Sequence, residues 1–268
     1  MTTTTIENKP TVTTTFDPWK KPTARPAYLD ELLRPEHADR QLRLNEGSNW
    51  LRIVPAACSG SEAWMLGLHV LATPSGKFAH PRTFGNADSR CVWDASYGYL
   101  KKHDPGKLFC KANPDGLRLL PNPMSLCWVI TGHGSDDTPL AVRLLMLSGY
   151  SGERGGTPGL GYQLYSMTQD RDEDGGLAHN ILGEQDGVQI NIEKIVSKES
   201  RYPRYILRAG RLPTPISDML AKLPEDEAAV LQPLANVVRR MTEEEQWERL
   251  ARLMPAPEVA TIRAAIKK

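Results

Sequence analysis

The chain lacks the features that announce most function classes. No run approaches the roughly 18 uninterrupted apolar residues of a membrane-spanning helix. Residues 1–6 lack a basic region followed by an apolar one, so no secretory signal is expected. The four cysteines, Cys58, Cys91, Cys110 and Cys127, include no Cys-x-x-Cys pair. In a chain of 268 residues they do not read as a disulfide framework, and a reducing cytoplasm is the expected setting. Net charge is also lacking, at +1, so the total gives no pointer to nucleic acid. No Gly-x-Ser-x-Gly elbow occurs. The Gly/Pro loop at 155–159 lacks the lysine of a phosphate-binding loop. The acidic stretch 170–175 lacks the downstream glutamate of a calcium loop and reads as a surface loop. Paired carboxylates for a two-metal nuclease cannot be placed on strands. The chain is therefore not expected to be an enzyme. No internal repeat of 20–50 residues is evident.

What is present divides into three parts. Residues 1–48 carry threonine repeats and several prolines, with one short amphipathic piece at 27–33, and read as a flexible N-terminal arm. Residues 49–213 hold short apolar runs bounded by Gly and Pro, an all-β signature. The expected strands are 50–55, 63–71, 126–131, 140–147, 162–167, 188–195 and 204–208, with one helix at 93–102. Residues 214–268 turn helical, with apolar residues three and four apart at 215–223, 225–241, 242–254 and 257–266. Thr242 with Glu245 forms a capping-box signature, and Pro233 is expected to kink or shorten its helix.

Candidate metal ligands lie in the β-rich part: His69, His80 and Cys91, with Asp94 three residues on and Cys110 further along. Zinc accepts N, S and O donors, and a turn of this length supplies two of them from one loop. The alternative is that His69 and His80 are ordinary strand and loop residues and Cys91 is buried and inert.

Basic and aromatic residues interleave through the same region, as in proteins that hold single strands with cations and stacking rings. Candidate rings are Trp50, Trp64, Phe84, Trp93, Tyr97, Tyr99 and Tyr202. Candidate phosphate contacts are Arg52, Arg82, Arg90, Lys101, Lys102, Lys107, Lys111, Arg201 and Arg204. Taken singly, each ring also reads as core and each cation as a solvated face. The stretch from Lys194 to Arg211 is dominated by cations, whereas 217–254 is richer in acids.

Residues 49–213 resemble the zinc-containing single-stranded DNA-binding proteins of tailed bacteriophages, the helix-destabilising proteins of phage replication. The run Trp50-Leu-Arg-Ile-Val-Pro-Ala56 resembles that family's Arg-containing first strand ending in Pro. The ladder His69, His80, Cys91, Asp94 is similar in order and spacing to its zinc ligands, one His and three Cys. The run 117–130, a polar loop and 140–147 resemble its central strand pair, and the strands 188–195 and 205–208 fit its order. The resemblance implies a mainly β protein: a five-stranded OB-fold barrel with an inserted zinc-type subdomain at about 73–116, plus C-terminal helices. It implies coating of exposed single-stranded DNA, without sequence specificity, during replication, recombination and repair. It also implies cooperative self-association through the N-terminal arm, for which Trp19, Lys20, Lys21 and Arg25 are the motivating residues. Two of the family's cysteines are replaced here, by His80 and Asp94. That leaves a Zn2+ site of His69, His80, Cys91 and Asp94, with Cys110 as alternative fourth ligand, or a site that has lost its metal and keeps its fold by packing. The family's acidic tail is replaced by helices and a basic end.

Two other readings stand beside this one. The amphipathic 225–254 region suits an adaptor or assembly protein that docks a replication partner through its C-terminal helices. A duplex-binding or annealing variant of the same fold is the third.

Overall fold

The computed structural model describes residues 31–266, apart from 74–75, 85–90, 111–112, 114, 133–137, 150–158, 172, 174–175, 177 and 201–202. Its centre is one seven-stranded sheet: β1 (Gly47–Ile53), β2 (Met65–Thr73), β3 (Gly76–Ala79), β4 (Asn122–Thr131), β5 (Ala141–Ser148), β6 (Val188–Ile195) and β7 (Arg204–Pro213). These strands pair antiparallel in the order β3-β2-β4-β1-β6-β7, with β5 on the other edge of β4.

β4 organises the sheet. One of its edges pairs with β5 from Met124↔Ser148 to Thr131↔Ala141. Its other edge is shared end to end, first by β2 (Val70↔Asn122 to Met65↔Cys127) and then by β1 (Ile53↔Val129 to Leu51↔Thr131). Alternate side chains of β4 enter two different cores. Leu126, Trp128 and Ile130 face one, with Leu68, Val70, Val142 and Leu144. Cys127 and Val129 face the other, with Leu51, Ile53, Leu145, Ile190 and Ile192. A strand covered on both faces has no polar side to keep, which is why this segment is a continuous apolar run.

Among the described residues no pairing joins β7 to β5, so the sheet is not closed by hydrogen bonds. The helix α3 (Leu160–Met167) packs against both strands instead. Periodicity at 162–167 points to a strand, and here the structure corrects it. Leu160 and Leu164, one helical turn apart, are buried in the inner core, while Tyr162 and Tyr165 remain well exposed. Gly161 makes the packing possible: a Cβ there would stand 2.5 Å from Ser125 Oγ.

The remaining helices are α1 (Ala56–Ser59), α2 (Val92–His103), α4 (Ile216–Lys222), α5 (Glu225–Ala228), α6 (Leu234–Val237), α7 (Glu243–Ala251) and α8 (Ala256–Ile266). The helix expected at 225–241 is broken: α5 ends early, and α6 begins directly after Pro233. The capping box is present, with Glu245 N–H donating to Thr242 Oγ1 (3.2 Å) and Thr242 N–H to Glu245 Oε2 (2.9 Å). Ile216, Met219, Leu234 and Val237, from α4 and α6, pack on the outer face of the sheet. Trp247, Leu250 and Ile262, from α7 and α8, pack on a third core with Phe78, Trp93 and Leu100. The C-terminal helices thus complete two of the three cores. None of the helices described is long and apolar enough to cross a membrane.

The expected loose arm needs correction over its last third. Leu32 and Leu33 are buried in the outer core, Leu33 bridges to Val238, and Leu42 N–H donates to Leu144 O at 2.8 Å. The cooperativity segment, 1–26, lies outside the described residues.

Candidate metal centre and nucleic-acid cleft

Local structure brings three of the candidate ligands together. β2 and β3 form a hairpin, and His80 directly follows β3, its N–H donating to His69 O at 2.7 Å. Cys91 is the N-cap of α2, and its Sγ accepts from Asp94 N–H at 3.4 Å. Asp94 lies in the first turn, where unpaired N–H groups and the helix dipole favour a carboxylate. Helix capping therefore fixes the Cys91–Asp94 spacing and points both side chains at His80.

Cys91 Sγ lies 3.1 Å from His80 Nε2 and 3.1 Å from Asp94 Oδ2, and the latter two are 3.6 Å apart. Zinc, with Zn–S of about 2.3 Å and Zn–N and Zn–O of about 2.0–2.2 Å, sets tetrahedral edges of roughly 3.3–3.6 Å. The His80–Asp94 edge meets that frame and the two edges to Cys91 Sγ fall a few tenths of an ångström short of it; the three donors converge closely enough that they could hold a metal ion. Arg82 grips the carboxylate from outside, with Nη2 2.7 Å from Oδ1 and Nε 3.1 Å from Oδ2. Burial lowers the His80 pKa to about 4 and, with the Asp94 carboxylate beside it, pushes the Cys91 thiol up to about 12.

His69 and Cys110 stand outside the group. His69 Nδ1 is buried with no hydrogen-bond partner, and burial together with Arg82 lowers its pKa. Cys110 corrects the alternative reading of a fourth ligand: it is exposed in the loop after α2, its backbone paired with Asn113.

Two of the proposed DNA contacts are corrected by burial. Arg52 is 0% exposed and donates to four carbonyls, those of Thr214 (3.0 Å), Ile53 (3.0 Å), Ile181 (2.7 Å) and Gly183. It ties β1 to the 181–187 loop and to the entry of α4, and phosphate cannot reach it. Trp93 is equally buried, its ring 5.1 Å from that of Phe78.

Tyr97 survives as a cleft residue. It lines an open cleft of about 730 Å3 together with His69, Arg82, Phe109, Arg118 and Leu120. Arg118 places its guanidinium 3.8 Å from the centre of the exposed Phe109 ring, and Lys101 Nζ stands 5.9 Å from the Tyr97 ring. Tyr99 and His103 stack at 4.6 Å. Tyr97 and Tyr99 leave α2 in different directions, as residues two apart on a helix must. Lys101 and Lys102 are exposed in the last turn of α2, whereas Lys107 is held by Asp104 and Glu258.

The other positions are dispersed. Phe84 is half-buried beneath Arg240, whose guanidinium lies 4.2 Å from its ring centre. Trp64 is half-buried beside β2. Trp50 and Arg204 are exposed on β1 and β7. Arg90, Lys111, Arg201 and Tyr202 lie outside the described residues. The sequence reading missed Phe109 and Arg118. The signal was the alternation of cation and ring at 107–111, with Arg118 returning to it through the bond of Phe109 N–H to Leu117 O.

Comparison with protein-family models finds no family that matches this chain, and comparison with curated proteins finds no match.

Proposed function

We propose that the protein binds single-stranded DNA without sequence specificity, performs no bond chemistry, and serves the replication, recombination and repair of a bacteriophage genome in the host cytoplasm. The observation that carries this reading is the cleft beside α2. Tyr97 and Phe109 offer ring faces, Arg118 and Lys101 lie against those rings, and Arg82, paired with Asp94, keeps 48% of its side chain exposed at the same wall. Unpaired bases stack on such rings at about 1–3 kcal/mol each, and cations hold the backbone whatever the sequence. The curled sheet with α3 lodged between β5 and β7 is read as an opened barrel of the OB kind.

His80 Nε2, Cys91 Sγ and Asp94 Oδ2 would hold Zn2+, with the buried, unpartnered His69 Nδ1 as a candidate fourth donor. A zinc ion there would supply a structural cross-link between the β2–β3 hairpin and α2, which form one wall of the cleft. The Arg82 N–H donates to His80 Nδ1 at 3.2 Å, so the neutral ring carries its proton on Nε2. Ligation through Nε2 would move that proton to Nδ1 and give up this bond, worth about 1 kcal/mol.

The adaptor reading loses its motive, because the apolar faces of α4, α6, α7 and α8 are covered by the chain's own cores. Partner proteins would meet the polar outer surface of those helices.

Titration of the tryptophan fluorescence with poly(dT) at low and moderate salt tests the proposal. Quenching with an affinity that falls as salt rises is expected. No quenching, or binding indifferent to salt, would refute it.

A further inference from the structure

The cleft beside α2 does not end at β2. His69 and Pro123, partners across the β2–β4 pair, also line a second cleft of about 480 Å3. Its other walls come from Trp64, Met65, Met124 and the α3 residue Tyr165. Met65, Gly67 and His69 alternate along β2 on one face. Met65 belongs to the inner core, so this is the side that α3 occupies. The two clefts therefore adjoin, with His69 and Pro123 lining both. Among the described residues no Asp or Glu lines either cleft; the cations Arg82 and Arg118 line the first, and the second contributes rings and apolar side chains. Cations in the first cleft and rings in both suit a strand whose backbone is held in the first and whose bases stack onward into the second.

Building on the single-strand reading, we infer that a bound strand continues past His69 into this second cleft, where Trp64 and Tyr165 supply further stacking faces. One OB-type domain typically covers about 4–16 nucleotides, and the Tyr97–Phe109 cleft supplies two rings for that length. Tyr165 projects from α3 with 37% exposure and lies outside the three cores. Gly67 floors the second cleft, and a Cβ there meets nothing within 4 Å. That is open space above the strand, available to an occupant.

The same geometry supplies the test. Gly67→Leu puts an apolar side chain into the second cleft from a position whose Cβ meets nothing within 4 Å, and Tyr165→Ala removes one ring. Phe109→Ala serves as the control in the first cleft. The full-length chain and these variants are titrated with oligo(dT) of about 4 and about 12 nucleotides, after thermal melting shows unchanged folding. Gly67→Leu and Tyr165→Ala should each weaken the longer oligonucleotide about tenfold and leave the shorter within about twofold, while Phe109→Ala weakens both; one stack of about 1–3 kcal/mol accounts for a change of that size. If both second-cleft variants bind the longer strand as tightly as the unaltered chain while Phe109→Ala does not, the strand does not enter the second cleft. Equal losses for both lengths would overturn the division into successive subsites. If the unaltered chain binds neither oligonucleotide, the single-strand reading itself falls.

Discussion

Arg118 lays its guanidinium over the Phe109 ring at 3.8 Å from the centroid. The Phe109 side chain is still 42% exposed, and both residues line the cleft beside α2. Under the proposed single-strand reading, a base would stack on the free face of this ring and a phosphate would lie beside the cation.

Removing either half has different signatures. Phe109→Ala should weaken binding of oligo(dT) about 5- to 150-fold at every salt concentration, the equivalent of one stack of about 1–3 kcal/mol. Arg118→Ala should also flatten the salt dependence by about 0.7 in the logarithmic slope, one phosphate contact on a single strand. Isotherms at three salt concentrations distinguish the two.

Arg52 is a structural residue. Its replacement by Met would leave the carbonyls of Thr214, Ile181 and Gly183 without their donor inside the fold. Hydrogen bonds to a charged group contribute about 1.5–3 kcal/mol each, so Arg52→Met should destabilise by more than about 3 kcal/mol in urea unfolding. Arg52→Lys should restore little of it, because an ammonium cannot reproduce the fork.

The candidate metal centre predicts a pH dependence with opposite branches. In the metal-free chain the His80 pKa is held at about 4, below its ordinary 6.5, by burial. The unfolded chain then takes up a proton first, so stability contributed by neutral His80 is present above pH 6.5 and declines as pH falls toward 4. Loading works the other way on Cys91, whose thiol sits at about 12 and must lose its proton to a metal. Apparent zinc affinity should rise about tenfold per pH unit between 6.5 and 8.5. Competition with a chelating dye measures it, and Cys91→Ala should abolish stoichiometric binding.

Truncation after residue 213 should leave a chain that does not fold. It removes Ile216, Leu234 and Val237 from the outer core, and Trp247, Leu250 and Ile262 from the core around α2. Loss of near-ultraviolet dichroism is expected. A soluble, cooperatively melting 1–213 fragment would show the helices to be an independent appendage.

The strands were legible where two residues in register carried the signal. β6 appears at the bounds its alternation indicates, and Thr242 with Glu245 marks the start of α7. α3 was illegible as a helix because Tyr162, Leu164 and Ser166 alternate like a strand. Its true burial period, Leu160 to Leu164, depends on where Gly161 lets it dock. Arg52 read as a phosphate contact because nothing local reveals that the 181–187 loop folds over it. The metal group was legible in His80, Cys91 and Asp94, since a helix N-cap imposes the Cys–Asp spacing. His69 enters the ladder by sequence order but turns toward the clefts, a matter of strand parity that spacing alone does not convey.

The most direct test of the account is the poly(dT) titration carried out on the unaltered chain beside an Arg82→Ala, Arg118→Ala double variant. The account predicts salt-sensitive quenching for the former and a loss of at least tenfold for the latter, with unchanged melting. Equal affinity in the two proteins would place any bound DNA elsewhere and contradict the cleft as its seat.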